Sequence, residues 1–230
     1  MKLLAFDTST QWMSVACGDG ERFAARAEFA GHAHSERLLP QVDAVLAECG
    51  WALAGLDAIA FGAGPGSFTG VRIACGVAQG LALGADLPLV PVPTLEALAH
   101  AAWRARGATD VLACLDARMR EVYVAAYRRS GDRWSAHTGP AVLPPDDVRV
   151  PAGGEWFGAG DGFAAFPTLA AALGLAVCDA ALRPDARAIL ELARPRFAAG
   201  EAVDAAHALP LYVRHRVALT TAERAAGARL

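Results

Sequence analysis

Apolar residues at the start of this chain gather in runs too short for helices. Residues 3–6, "LLAF", stop at Asp7-Thr8-Ser9-Thr10, and residues 13–29, "MSVACGDGERFAARAEF", then alternate as half-buried strands do. The Gly18-Asp19-Gly20 cluster reads as a turn, so the first thirty residues predict a three-stranded meander. From residue 35 the period lengthens. In "SERLLPQVDAVLAECG", Leu38, Leu39, Val42, Val45, Leu46 and Cys49 recur at helical spacing and Gly50 is a C-terminal stop. Pro40 falls about one turn inside if Ser35 is the N-cap, so the helix starts later or bends there. A buried strand, "LDAIAFG", runs into residues 62–83, "GAGPGSFTGVRIACGVAQGLAL", a glycine-proline turn followed by an apolar helix. "LPLVPVPT" adds a short strand, and "TLEALAHAAWRA" a helix with Leu95, Leu98, Ala99 and Ala102 on one side.

At residue 110 the pattern restarts. "DVLACLDARMREVYVAAYRRSGDRWSAH" is again an apolar strand ending in an aspartate, a turn and alternating strands, with Leu115-Asp116-Ala117-Arg118 standing where Phe6-Asp7-Thr8-Ser9 stood. Residues 139–154 read as a loop, "EWFGAGDGFAAF" places a glycine turn after a short strand, and helical segments follow near 166–175 and 185–199. The expected architecture is two similar α/β lobes, residues 1–105 and 106–216, with a tail at 217–230 that is a frayed helix or disordered.

Composition narrows the function classes. Of 230 residues, 54% are hydrophobic and 20% charged, which excludes a disordered or fibrous chain. A net charge of -3 gives no global basic footprint, so any RNA role needs a partner. Cys17, Cys49, Cys75, Cys114 and Cys178 are odd in number and widely spaced, as small core residues in a reducing compartment would be. Asp7 comes too early for a signal peptide, and the stretch at 73–90 is broken by glycines, Gln79, Asp86 and Pro88. A cytoplasmic protein without a membrane span is expected.

A strand ending in Asp-Thr-Ser-Thr, a glycine-rich turn and a second strand ending in Asp suit two lobes that clamp a nucleotide. Carboxylates hold hydrated magnesium there, while hydroxyls and turn amides take phosphate oxygens. This constellation resembles the actin, sugar-kinase and heat-shock-chaperone ATPase superfamily. The candidate cleft residues are Asp7, Thr8, Ser9, Gly64, Gly66, Ser67 and Thr69. An aspartate that merely caps its own turn, and a capped strand-to-helix turn, are the structural alternatives. "GPGSFTG" lacks the lysine of a P-loop, and no acidic partner follows it at dinucleotide spacing. Neither H-E-x-x-H nor G-x-S-x-G occurs, so no metal site and no serine nucleophile elbow are predicted.

The helix after the turn carries Gly76, Gly80 and Gly84 at four-residue spacing. Each glycine costs roughly 1 kcal/mol relative to alanine inside a helix. Three on one face ask for a compensating close approach by a strand of the same lobe or by a helix of a partner, with the helix at 35–49 as the natural neighbour in such a bundle.

Six segments, "LLAFDTSTQWMSVA", "HSERLLPQVDAVL", "GAGPGSFTGVRIACGVAQGLAL", "PTLEALA", "DARMREVYVAAY" and "PLYVRHRVA", resemble in order and spacing the bacterial TsaB (YeaZ) family. The resemblance implies a two-lobed actin-like ATPase (ASKHA) fold with duplicated ribonuclease-H-like lobes. It implies a role in making threonylcarbamoyladenosine beside the anticodon of tRNAs that read codons beginning with A. In that pathway the related TsaD subunit looks like the catalytic one, its metal held partly by a His-x-Glu-x-His helix motif. The matching opening here is Thr94-Leu95-Glu96-Ala97-Leu98, with both histidines replaced. The resemblance therefore implies a non-catalytic subunit that binds TsaD through its first two helices, with TsaE as a further partner and tRNA contacted only in the complex. The interface role carries over to Leu38, Leu39, Val42, Val45, Leu46, Arg72, Cys75, Gly76, Gln79 and Gly80, and the same surface implies a homodimer when the chain is alone. The cleft would be vestigial, with weak ATP or ADP binding with magnesium left open. Two other readings stay open: a self-sufficient nucleotide-dependent enzyme using Asp7 and Asp116, and a glycoprotease-like peptidase.

Overall fold

The run at residues 3–6 is apolar at every position because both faces of its strand are covered. In a computed structural model, which describes residues 1–214, Leu3–Asp7 (β1) is buried throughout and lies at the centre of a five-stranded sheet. Trp12–Gly18 (β2) pairs with it antiparallel and Phe23–Phe29 (β3) continues the meander. On the other side Ala58–Gly64 (β4) and Leu89–Pro93 (β5) add in parallel, giving the order β3-β2-β1-β4-β5. Leu4, Phe6, Ile59 and Phe61 face the helices His34–Cys49 (α1) and Phe68–Ala85 (α2), which meet them with Leu38, Val42, Val45, Ala74 and Ala78. The alternate residues Leu3, Ala5, Ala58 and Ala60 face the other way. This is the period-2 consequence of a doubly covered strand.

The second sheet repeats the first. Asp110–Arg118 (β6), Glu121–Ser130 (β7) and Arg133–Leu143 (β8) form the meander, while Phe157–Ala159 (β9) and Val177–Asp179 (β10) add in parallel to give β10-β9-β6-β7-β8. The restart at residue 110 is therefore a repeat of topology. It makes this the two-lobed actin-like fold with duplicated ribonuclease-H-like lobes.

Thr94–Arg106 (α3) and, beyond two short helices at Gly162–Ala165 (α4) and Leu169–Ala172 (α5), Ala186–Ala198 (α6) cover the inner face of the first sheet. Ala97 and Ala101 of α3 turn to that sheet, and Leu95, Leu98, Ala99 and Ala102 to Val111, Ala113 and Leu115 of the second. The small residues on both sides of α3 let it sit between the two sheets.

Several boundaries differ from expectation. Helix α1 starts at His34, one residue before the expected cap, and runs through Pro40. Pro40 and Glu36, whose carbonyl loses its helical donor, are both exposed residues, so the break in the ladder lies on the solvent side of the helix. Ser67 caps α2 by accepting from the Gly70 amide at 3.4 Å, and Gly50 closes α1 at φ 69°. Strand β8 extends through Leu143 into the expected loop, and only α5 forms within 166–175. Strand β10 went unread because three residues carry no period. All five cysteines are free thiols, four of them buried. The tail at 217–230 and His215 lie outside the described residues.

Candidate functional site

The glycine turn after β4 is packed against the end of β1, backbone on backbone. A side chain at Gly62 would run into the Asp7 carboxylate, one at Gly66 would lie 2.5 Å from the Ser9 carbonyl oxygen, and one at Gly70 would overlap the Thr8 carbonyl oxygen. Three amides of the two turns have acceptors within the fold. Ser67 N–H donates to Ser9 O at 2.7 Å, Gly64 N–H to Thr94 Oγ1 at 3.0 Å, and Ser9 N–H to Asp7 Oδ1 at 2.9 Å. The Thr8 hydroxyl donates to Gly70 O at 2.7 Å. Of the seven candidate cleft residues, Ser9, Gly66 and Ser67 line a cavity; Asp7, Thr8 and Gly64 are sealed in the packing, and Thr69 is exposed. The glycines at 62, 66 and 70 serve close packing between the two turns.

Asp7 is 1% exposed. Its Oδ1 accepts from the Ser9 hydroxyl at 2.7 Å as well as from the amide, and its Oδ2 has no partner among the described residues. Burial pushes its pKa up to about 6 against the lowering effect of the two Ser9 bonds, and the charge of Asp185 raises it further.

The cavity, of about 960 Å³, lies between the lobes. Asp116 and Asp161 reach it from the second lobe, the Asp116 amide donating to Asp161 Oδ1 at 3.0 Å. Burial raises the Asp161 pKa and the Asp116 charge adds to this, while the amide bond opposes it. Arg118 pairs with Asp116 at 3.0 Å. Asp7 and Asp116 do not share this space, so the residues expected to hold magnesium between them do not fit that ion. Among the described residues no group of three or more His, Cys, Asp or Glu is placed to hold a metal. Asp161 escaped the sequence reading. Its signal was the Gly158-Ala159-Gly160-Asp161-Gly162 turn, whose Gly160 abuts the Cys114 carbonyl as Gly70 abuts that of Thr8.

The outer side of α1 and α2 divides the expected interface residues in two. Leu38, Val42, Val45, Leu46 and Cys75 belong to the core of the chain itself, because the apolar stripe of each helix is used to cover the sheet. No partner can reach them in the folded chain. Leu39 is 46% exposed, and Arg72, Gly76 and Gly80 are exposed as well. Gln79 is half-buried and donates to Ala208 O at 3.0 Å. Side chains added at Gly76, Gly80 or Gly84 would meet nothing within 4 Å among the described residues, so neither a strand nor α1 approaches the glycine stripe. Leu83, 80% exposed, lies beside it and was missed, although its i+3 spacing from Gly80 marks it. Arg72 spans Phe68 and Tyr212, its guanidinium 3.3 and 4.7 Å from the two ring centroids. By length and composition α2 could cross a membrane, but its Gly70, Val71, Ala74, Cys75, Ala78 and Ala82 face is inside the fold.

The helix opening at 94–98 has structural partners. Thr94 holds the Gly64 amide, Leu98 is in the core, and Glu96 is bound by Arg196 of α6 through both carboxylate oxygens at 2.8 and 2.7 Å. Arg196 also donates to Pro91 O.

A family model described as "TsaD: tRNA N6-adenosine threonylcarbamoyltransferase" matches residues 26–221. The chain is 44% identical over 223 residues to tRNA threonylcarbamoyladenosine biosynthesis protein TsaB of Escherichia coli K12, covering 95% of this chain and 96% of the relative. It is 39% identical to the protein of the same name in Haemophilus influenzae, over 94% and 95% of the two chains. Among solved structures, YeaZ from Pseudomonas aeruginosa superimposes with a TM-score of 0.86 at 44% identity, over 92% of this chain and 99% of that one.

Proposed function

Because the chain belongs to the TsaB (YeaZ) family, we propose that it is the non-catalytic subunit of tRNA threonylcarbamoyladenosine synthesis that binds and stabilises TsaD. The docking surface is the outward face of α1 and α2: Leu39, Arg72, Gly76, Gly80 and Leu83. TsaE is a further partner, tRNA is met only in the complex, the same face pairs two copies when the chain is alone, and the setting is the cytoplasm. The observation that carries this reading is the bare glycine stripe. Three helical glycines weaken α2 by roughly 1 kcal/mol each, and nothing within the described chain approaches them to compensate. A partner helix seated there would supply the contact.

The test is Gly80→Leu. The added side chain has open space, so the variant should fold as well as the parent or better. It should fail to co-purify with TsaD from the same organism. Normal co-purification would overturn the assignment. ATP turnover by the purified chain alone, abolished by Asp7→Asn, would instead favour a nucleotide-dependent enzyme.

A further inference from the structure

Residues 208–214 run across the mouth of the interlobe cavity and touch both lobes. At one end the Ala208 carbonyl accepts from the Gln79 amide at 3.0 Å and from the Cys75 thiol at 3.4 Å, and Ala208 is fully buried. In the middle the Leu211 amide donates to Ala63 O at 2.7 Å. The Leu211 carbonyl oxygen lies 2.9 Å from where a side chain at Gly64 would begin, and Gly64 itself has φ 106°. The segment is thus built into the end of β4.

At its far end Arg214 grips the second lobe. Its guanidinium donates to Ala117 O at 3.0 Å, pairs with Glu121 at 2.7 Å and contacts Met119 Sδ, with the side chain only 10% exposed. All three partners belong to the β6–β7 hairpin. That hairpin holds Arg118, Met119 and Arg120 at φ 61°, 55° and 61°, a left-handed run that glycine or asparagine normally fills. A strained turn persists only where its surroundings fix it, and the Arg214 side chain binds this one from outside the hairpin at Ala117, Met119 and Glu121.

We propose that residues 208–214 are an interlobe strap, that Arg214 is its latch on the β6–β7 hairpin, and that releasing the latch frees the cavity mouth while both sheets stay folded. In two-lobed folds of this kind the lobes can rotate about their junction. A strap anchored on Ala63 in one lobe and on Ala117 and Glu121 in the other limits that rotation. The two anchors differ in kind. The lobe-one end is buried backbone, whereas the lobe-two end is one charged side chain and is the end that can let go.

The experiment is hydrogen exchange followed by mass spectrometry on the full chain, comparing the parent with Arg214→Ala, Glu121→Gln and Arg120→Ala. Removing a charge-assisted contact should speed exchange in the 117–121 and 208–214 peptides by roughly tenfold in Arg214→Ala, less in Glu121→Gln, with peptides from β1 and α3 unchanged. Arg120→Ala alters the same turn without touching the strap's contacts and should leave the 208–214 peptide at the parental rate. Unchanged exchange in both latch variants overturns the proposal. So does an increase spread evenly over both sheets, because Arg214 would then be an ordinary stabilising residue. Glu121→Gln, the milder change, decides the matter if Arg214→Ala does not fold.

Discussion

The Thr8 carbonyl oxygen fills the volume a side chain at Gly70 would need, and the Thr8 hydroxyl reaches the Gly70 carbonyl at 2.7 Å. One residue of the β1 end thus meets the start of α2 twice. The segment that reads as a ligand cradle is also a joint between two elements of the first lobe.

Gly70 and Gly80 should therefore respond oppositely to the same substitution. Gly70→Ala forces backbone apart and should destabilise the chain by about 2–4 kcal/mol. Gly80→Ala meets open space and should stabilise it by about 0.5–1 kcal/mol. Urea midpoints of the two variants check both signs.

Asp7 makes stability depend on pH. Its folded pKa of about 6 exceeds the ordinary 3.8, so the native state keeps a proton that the unfolded state has lost. That contribution is fully present below about pH 4 and is lost as pH rises through 6, a change on the order of 2–3 kcal/mol. Asp7→Asn should flatten the dependence between pH 4 and 7, measured as the urea midpoint across that range. A variant that keeps the parental slope would show that another group carries it.

Glu96 and Arg196 form a largely buried pair joining α3 to α6, with side chains 12% and 23% exposed. Arg196→Met leaves the carboxylate without its partner and should cost about 3–5 kcal/mol. The double variant Glu96→Gln with Arg196→Met should recover much of that loss. A thermodynamic cycle over the three variants gives the coupling.

We expect residues 1–105 not to fold alone. The cut leaves α6 behind and bares Leu3, Ala5, Ala58, Ala60, Val90 and Val92. That fragment should lack a cooperative urea transition until it is mixed with residues 106–230. A cooperative transition of the isolated fragment would show that the lobes are independent.

What could be read in the sequence was whatever has a period or a partner close along the chain. The meander at 1–29, the stop at Gly50 and the restart at Asp110 all rest on local chemistry, and all reappear in the fold. The inward faces of α1 and α2 were visible as apolar stripes, but their destination was not. A stripe looks the same whether it covers a sheet or a partner, so nothing in it opposes the interface role that the resemblance implies for Leu38, Val42, Val45, Leu46 and Cys75, which lie in the core. The pairing of Glu96 with Arg196 spans 100 positions and has no local signature. Neither does the Arg214 contact with Ala117, 97 positions away.

The bare stripe at Gly76, Gly80 and Gly84 also bears on how long a copy of this chain lasts. On the docking reading, binding repays a helix that the glycines leave weak, so unassembled copies open more often than assembled ones. Proteases act on opened chains, and a difference of 1–2 kcal/mol shifts abundance roughly several-fold. Surplus subunits would be cleared first, and the glycines would thereby tie the amount of this chain to the amount of its partner.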